Sequence, residues 1–147
     1  FAEVSANALR HATADRINGV LVQPMVPAGV EMMIGIKVDP LFGPLLVVGL
    51  GGVMVELLRD TAVMPAPVTR REALEMLQGL KGAALLKGFR GSAPVDLERL
   101  AEIVCRVGEF AADHAVRIVE ADINPLICAG SRLLAVDALI CRETPRH

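Results

Sequence analysis

Val116-Arg-Ile-Val-Glu-Ala-Asp-Ile-Asn-Pro-Leu-Ile-Cys-Ala-Gly-Ser-Arg-Leu-Leu-Ala-Val-Asp-Ala-Leu-Ile140 is the stretch whose reading decides the fold. Two runs rich in Val, Ile and Leu flank Gly130-Ser131. A glycine at the first central position marks a two-residue hairpin loop. That turn pairs Ala129 with Arg132. Counting back along both strands then sets Asn124 opposite Asp137. Opposed residues carry Cβ atoms roughly 5 Å apart on one face. Asp122, two residues before Asn124, shares that face. Three oxygen-bearing side chains therefore converge.

Their sequence neighbours Ile123, Ile127, Leu133, Leu134, Val136 and Leu139 are apolar. Two carboxylates in such surroundings repel each other and lose hydration, which costs several kcal/mol unless a charge neutralises them. A cation does this. Oxygen ligands without His or Cys suit Mg²⁺ or Mn²⁺. Mg²⁺ takes one or two carboxylates and completes its shell with water and phosphate oxygens, so a phosphorylated ligand is implied. On composition alone the alternative stays open, that Asn124-Pro125 is a turn and the acids are solvated at a strand end.

Working outward, residues 94–115 carry Leu97, Leu100, Ile103, Val104, Val107 and Ala111 at helical spacing, the longest predicted helix. Thr69 with Glu72 three residues on has capping-box spacing, predicting a helix to Gln78 with Gly79 as its stop. Lys81 to Gly91 holds Gly82, Gly88 and Gly91 and reads as a short helix or loop. Strands are predicted at Asn18–Val26, with a turn at Ala28-Gly29, at Val30–Val38 and at Leu45–Leu50. Gly51-Gly52 interrupts the third, and Val53–Leu58 resumes it. Residues 2–11 read as a helix that starts abruptly, as in a piece of a longer protein. Strands outnumber helices and most neighbours can be antiparallel. The expected class is α+β, one domain over residues 1–147, with helices packed on one face of the sheet.

Composition narrows the function. Hydrophobic residues make up 53%, and the mean hydropathy is +0.50. The longest apolar stretch, Leu45 to Val55, has 11 residues and three glycines. A membrane span needs roughly 20, so none is expected, and no basic leader opens the chain. The net charge of −2 and the 3% aromatic content argue against nucleic acid. Cys105, Cys128 and Cys141 lack C-x-x-C spacing, and His11, His114 and His147 are scattered. Neither a disulfide framework nor a zinc site is expected, and a reducing cytoplasm is the default.

Asp122-Ile-Asn-Pro-Leu126 followed by Val136-Asp137-Ala138 resembles the metal-binding end of NDP-forming acyl-CoA synthetases. The related succinyl-CoA synthetase β subunit is similar there. Further matches run in order along the chain: Gly19-Val-Leu-Val-Gln-Pro-Met-Val26, Gly29-Val-Glu31, Asp39-Pro-Leu-Phe-Gly-Pro44, Gly49-Leu-Gly-Gly52 leading to Glu56, and Lys87-Gly-Phe-Arg-Gly91. Each is weak alone; together they are specific. The resemblance implies the C-terminal lobe of an ATP-grasp domain.

It also implies roles. Gln23, Met25 and Val26 would line the adenine pocket, and Glu31 would accept bonds from the ribose hydroxyls. Gly51 and Gly52 would lie against the nucleotide; they lack the context of a P-loop. Asn124 and Asp137 would ligate magnesium between nucleotide phosphates, with Asp122 supporting it or binding directly. Arg90, between glycines, would face a phosphoryl group, to which Arg is suited. The implied enzyme is an acid-thiol ligase. It converts acyl-CoA, NDP and phosphate to acid, CoA and NTP, through an acyl-phosphate and a phosphohistidine, with ATP or ADP as substrate. The N-terminal ATP-grasp lobe and the CoA-binding and phosphohistidine segments fall outside these 147 residues. The expectation is therefore a part that is inactive alone and prone to self-association through uncovered apolar surface. The alternative is a non-catalytic nucleotide- or acyl-CoA-sensing module of a protein acetyltransferase.

Overall fold

The computed structural model of the chain describes residues 1–13, 16–52, 60–88 and 91–143. Helix α1 (Ala2–His11) comes first and buries none of its residues. Strands β1 (Val30–Asp39), β2 (Gly43–Leu50) and β3 (Thr61–Pro65) follow, then α2 (Arg70–Gln78), a 3₁₀ turn (Ala83–Leu85) and α3 (Leu97–His114). The chain ends in β4 (Ile118–Ala129), β5 (Arg132–Ala135) and β6 (Ala138–Arg142). The sheet order is β3-β2-β1-β4-β5, with β6 also paired to β4, and every pairing is antiparallel. This is an α+β sheet with α2 and α3 against one face, as the sequence predicts.

Alternation along β1 and β2 creates two faces. Met32, Ile34 and Ile36 of β1 and Leu46, Val48 and Leu50 of β2 point to the helices and are at most 3% exposed. Fully burying such a side chain stabilises by about 1.5–3 kcal/mol, so this layer dominates the fold's stability. Onto it α3 lays Leu100, Ala101, Val104, Gly108 and Ala111, all buried. Gly108 packs directly on this layer, where a Cβ would make ordinary contact, 3.4 Å from the Val68 amide nitrogen and 3.5 Å from Leu46 Cδ2. The outer side of α3 is polar and carries the Glu102–Arg106 pair at 2.7 Å.

Local signals set the helix ends. Asp96 caps α3 by accepting from the Arg99 N–H at 3.0 Å. At α2 the predicted capping box forms: the Glu72 N–H donates to Thr69 Oγ1 at 3.3 Å, and the Thr69 N–H donates to Glu72 Oε2 at 2.7 Å. Such caps satisfy orphan amides and contribute about 1 kcal/mol. The buried Asp60 carboxylate accepts from the Lys81 and Gly82 N–H groups at 2.7 and 2.8 Å, tying the start of β3 to the turn after α2.

Three sequence expectations need correction. Residues 18–26 form no strand, so Ala28-Gly29 is not a hairpin turn. The reason is topological. Both sides of β1 are occupied, by β2 and β4, so a strand just before it finds no adjacent edge. Leu21, Val22 and Met25 are 83%, 85% and 94% exposed. The strand Thr61–Pro65 was not foreseen, while the one expected at Val53–Leu58 lies outside the described residues. The last expected strand, Arg132–Ile140, is split into β5 and β6 at Val136 and Asp137.

Candidate functional site

The hairpin register is the predicted one. Ala129 pairs with Arg132, Leu126 with Ala135 and, across the break, Ile123 with Ala138. Between them the Asn124 N–H donates to the Asp137 carbonyl at 3.2 Å, and the Val136 N–H donates to the Pro125 carbonyl at 3.0 Å. Asn124 and Asp137 therefore face each other. The interruption has a local cause: the Asp137 carboxylate turns back to accept from the Ala138 N–H at 2.8 Å. On the other side of β4, Met32 pairs with Leu126 but Ile34 with Ile123. Two residues, Asn124 and Pro125, oppose the single Met33, which is a β-bulge. Bulges re-aim side chains, and this one turns the strand at the acidic set. The Asn124–Pro125 peptide is cis.

Asp122 lies opposite Gly35 on the face of the sheet turned away from α2 and α3. A Cβ at Gly35 would lie 3.8 Å from Asp122 Oδ1, so the two positions are direct neighbours on this face. Asp122 Oδ1 is buried and has no hydrogen-bond partner among the described residues. Burial pushes the Asp122 carboxyl above its ordinary range; the Asn124 carboxamide opposes this, and the charges of Glu120 and Asp137 add to it. An orphaned carboxylate oxygen next to two more carboxylates is short of positive charge. Asn124 and Asp137 are exposed beside it. Among the described residues no three His, Cys, Asp or Glu side chains gather as a metal site. The set here is two carboxylates and an amide, which fits a cation that takes its other ligands from phosphate and water.

The second cluster is at the start of β1. The Gly51 N–H donates to the Glu31 carbonyl at 2.6 Å. Gly52 has φ +65, and a Cβ there would run into Glu31 Oε2, so only glycine lets the carboxylate lie over this turn. The structure thus joins Glu31, Gly51 and Gly52, which sequence spacing alone leaves apart. From Glu31 to Gly35 is four residues of one strand, about 13 Å at the usual rise. Both clusters open on the same face. Gln23 and Met25 are exposed and Val26 is half-buried. Arg90 lies outside the described residues.

On the opposite face a cleft of about 290 Å³ runs between α3 and β6, lined by Ile34, Ile103, Phe110 and Leu139 among others. Asp122 contributes to its wall, but its lining is nearly all apolar and does not suit phosphate. Cys128 belongs to the core: burial pushes its thiol up to about 12. All three cysteines are free. No helix among the described residues is long and apolar enough to cross a membrane.

Comparison with known proteins bears on the family and the fold. The family described as ATP-grasp domain matches residues 1–141. The chain is 42% identical over 137 residues to acetate–CoA ligase [ADP-forming] I of Archaeoglobus fulgidus, covering 93% of this chain and 20% of that protein. It is 40% identical over 138 residues to acetate–CoA ligase [ADP-forming] I subunit beta of Pyrococcus furiosus, covering 94% of this chain and 59% of that one. The chain therefore spans between a fifth and three-fifths of the length of these relatives. A solved structure superimposes with a TM-score of 0.88 at 39% identity, covering 97% of this chain and 62% of that chain. It is the dinucleotide forming acetyl-coenzyme A synthetase 1 of Ca. Korarchaeum cryptofilum, in complex with coenzyme A, Ca-AMPCP and HgCl+.

Proposed function

We propose that this chain, which belongs to the ATP-grasp domain family, is the magnesium- and nucleotide-binding lobe of an NDP-forming acyl-CoA ligase. The observation that carries the reading is the orphaned Asp122 Oδ1, held beside Asn124 and Asp137 on the same face as Glu31 and Gly52. Asp122, Asn124 and Asp137 would hold Mg²⁺, or Mn²⁺. When bound, the cation would neutralise charge on the nucleotide phosphates. Glu31 would accept from the ribose hydroxyls, and Gly51 and Gly52 keep the backbone low beside it. Gln23, Met25 and Val26 would close over the base, removing their exposed surface from water. Arg90 would offset charge on the transferred group. In phosphoryl transfer the protein mostly positions groups and neutralises charge, and these residues are of the types that do so.

The ligases of Archaeoglobus and Pyrococcus support an acyl-CoA, ADP and phosphate reaction for the whole protein. The divalent cation and nucleotide analogue bound to the Korarchaeum enzyme support the site. Either cation would complete its shell with phosphate and water oxygens. The reading places the protein in the cytoplasm, where free cysteines stay reduced. The test is turnover of the full-length protein with acetyl-CoA, ADP, phosphate and Mg²⁺. Asp137→Asn should lose at least about a hundredfold in turnover. An unchanged rate in that variant would overturn the metal assignment.

A further inference from the structure

The register of β1 orders the site along a line. Glu31, Met33, Gly35 and Lys37 alternate onto the open face. Glu31 meets Gly51 and Gly52. Met33 lies opposite the bulge at Asn124 and Pro125, Gly35 lies opposite Asp122, and Lys37 lies opposite Glu120. The row therefore runs from the turn beside Glu31, through the acidic set, to a cation. Lys37 is two residues beyond Gly35, about 7 Å at the usual rise.

Lys37 is exposed, and the ion pairs among the described residues leave it out; they join Arg70 to Glu98, Arg71 to Glu75 and Arg106 to Glu102, all on the helix layer. Its cross-strand neighbour Glu120 is also exposed. A lysine on a central strand, next to an acidic cluster and free of a fixed partner, is an ammonium on a flexible four-carbon stem with three donors to place. Resting on the functional reading above, the row has a polarity. The sugar is at Glu31, the inner phosphates are at Asp122 and Asn124, and the next position belongs to the outermost phosphate.

We propose that Lys37 contacts the terminal phosphate of the bound nucleotide and so distinguishes nucleotides by their phosphate count. Glu120 across the strand adds negative charge at that end, and the Lys37 ammonium is the cation beside it that can offset a phosphate. A monophosphate ends at the metal and does not reach it.

The experiment measures the affinities of AMP, ADP and a non-hydrolysable ATP analogue for the full-length protein in Mg²⁺, by calorimetry. A charge-assisted hydrogen bond lost in Lys37→Met should weaken the triphosphate analogue by about tenfold or more, and AMP by less than about twofold. Lys37→Arg keeps the charge and should restore most of the loss. Retained AMP affinity also shows that the variant is folded. Equal losses for all three nucleotides, or none, would overturn the assignment while leaving the magnesium site intact. If the wild-type protein binds no nucleotide, both this assignment and the functional reading fall.

Discussion

The two faces of the sheet differ in what they are made to do. The helix face is packed at its centre, where Met32, Leu46, Val48 and Leu100 are all 0% exposed, and opens as an apolar cleft between α3 and β6. The open face carries Glu31, Lys37, Glu120 and Asp122, and leaves Val63 at 54% exposure. Among the described residues, the helix face leaves no buried side-chain polar atom without a partner. The other keeps a buried carboxylate oxygen without a partner, which stability alone gives no reason to retain. The difference teaches that the fold's stability and its chemistry are written on alternate residues of the same strands.

The largest effect is expected from damage to the helix-packed face. Leu100→Ala removes a fully buried side chain from the contact between α3 and the sheet. It should cost about 3 kcal/mol in denaturant unfolding, because transfer and cavity terms add. A cost under about 1 kcal/mol would mean that this face is not the one that holds the fold. The opposite sign is expected on the open face. Asp122→Asn keeps the shape and removes a desolvated charge next to Glu120 and Asp137. It should raise the denaturant midpoint of the protein without metal, and should remove any rise in Tm on adding Mg²⁺. A destabilised variant would make Asp122 a structural residue.

Much of this contrast was legible in the sequence, though unevenly. The hairpin register was, because a glycine in a two-residue loop fixes pairing, and one pairing fixes every other. The capping box of Thr69 and Glu72 was, because its partners are three residues apart. The failures share a cause: an apolar run does not say which edge it will pair with. Leu21 and Val22 read as a strand, but β2 and β4 already flank β1. Asp60 was missed because its partners, the amides of Lys81 and Gly82, are distant in sequence. The meeting of Glu31 with Gly52 was not legible, because only the pairing of β1 with β2 brings together residues so far apart in sequence. Lys37 was overlooked, although alternation from Glu31 through Gly35 puts it on the same face. The bulge at Asn124 and Pro125 had only the proline as its signal, since proline in a strand interior favours a bulge or an edge.

On the proposed function, the open face binds nucleotide through a magnesium ion. The most direct measurement is ADP affinity across a Mg²⁺ titration, for the full-length protein and for Asp137→Asn. Mg²⁺ should tighten ADP binding to the wild type by about tenfold or more and leave the variant unresponsive. An equal magnesium response in both proteins would contradict it.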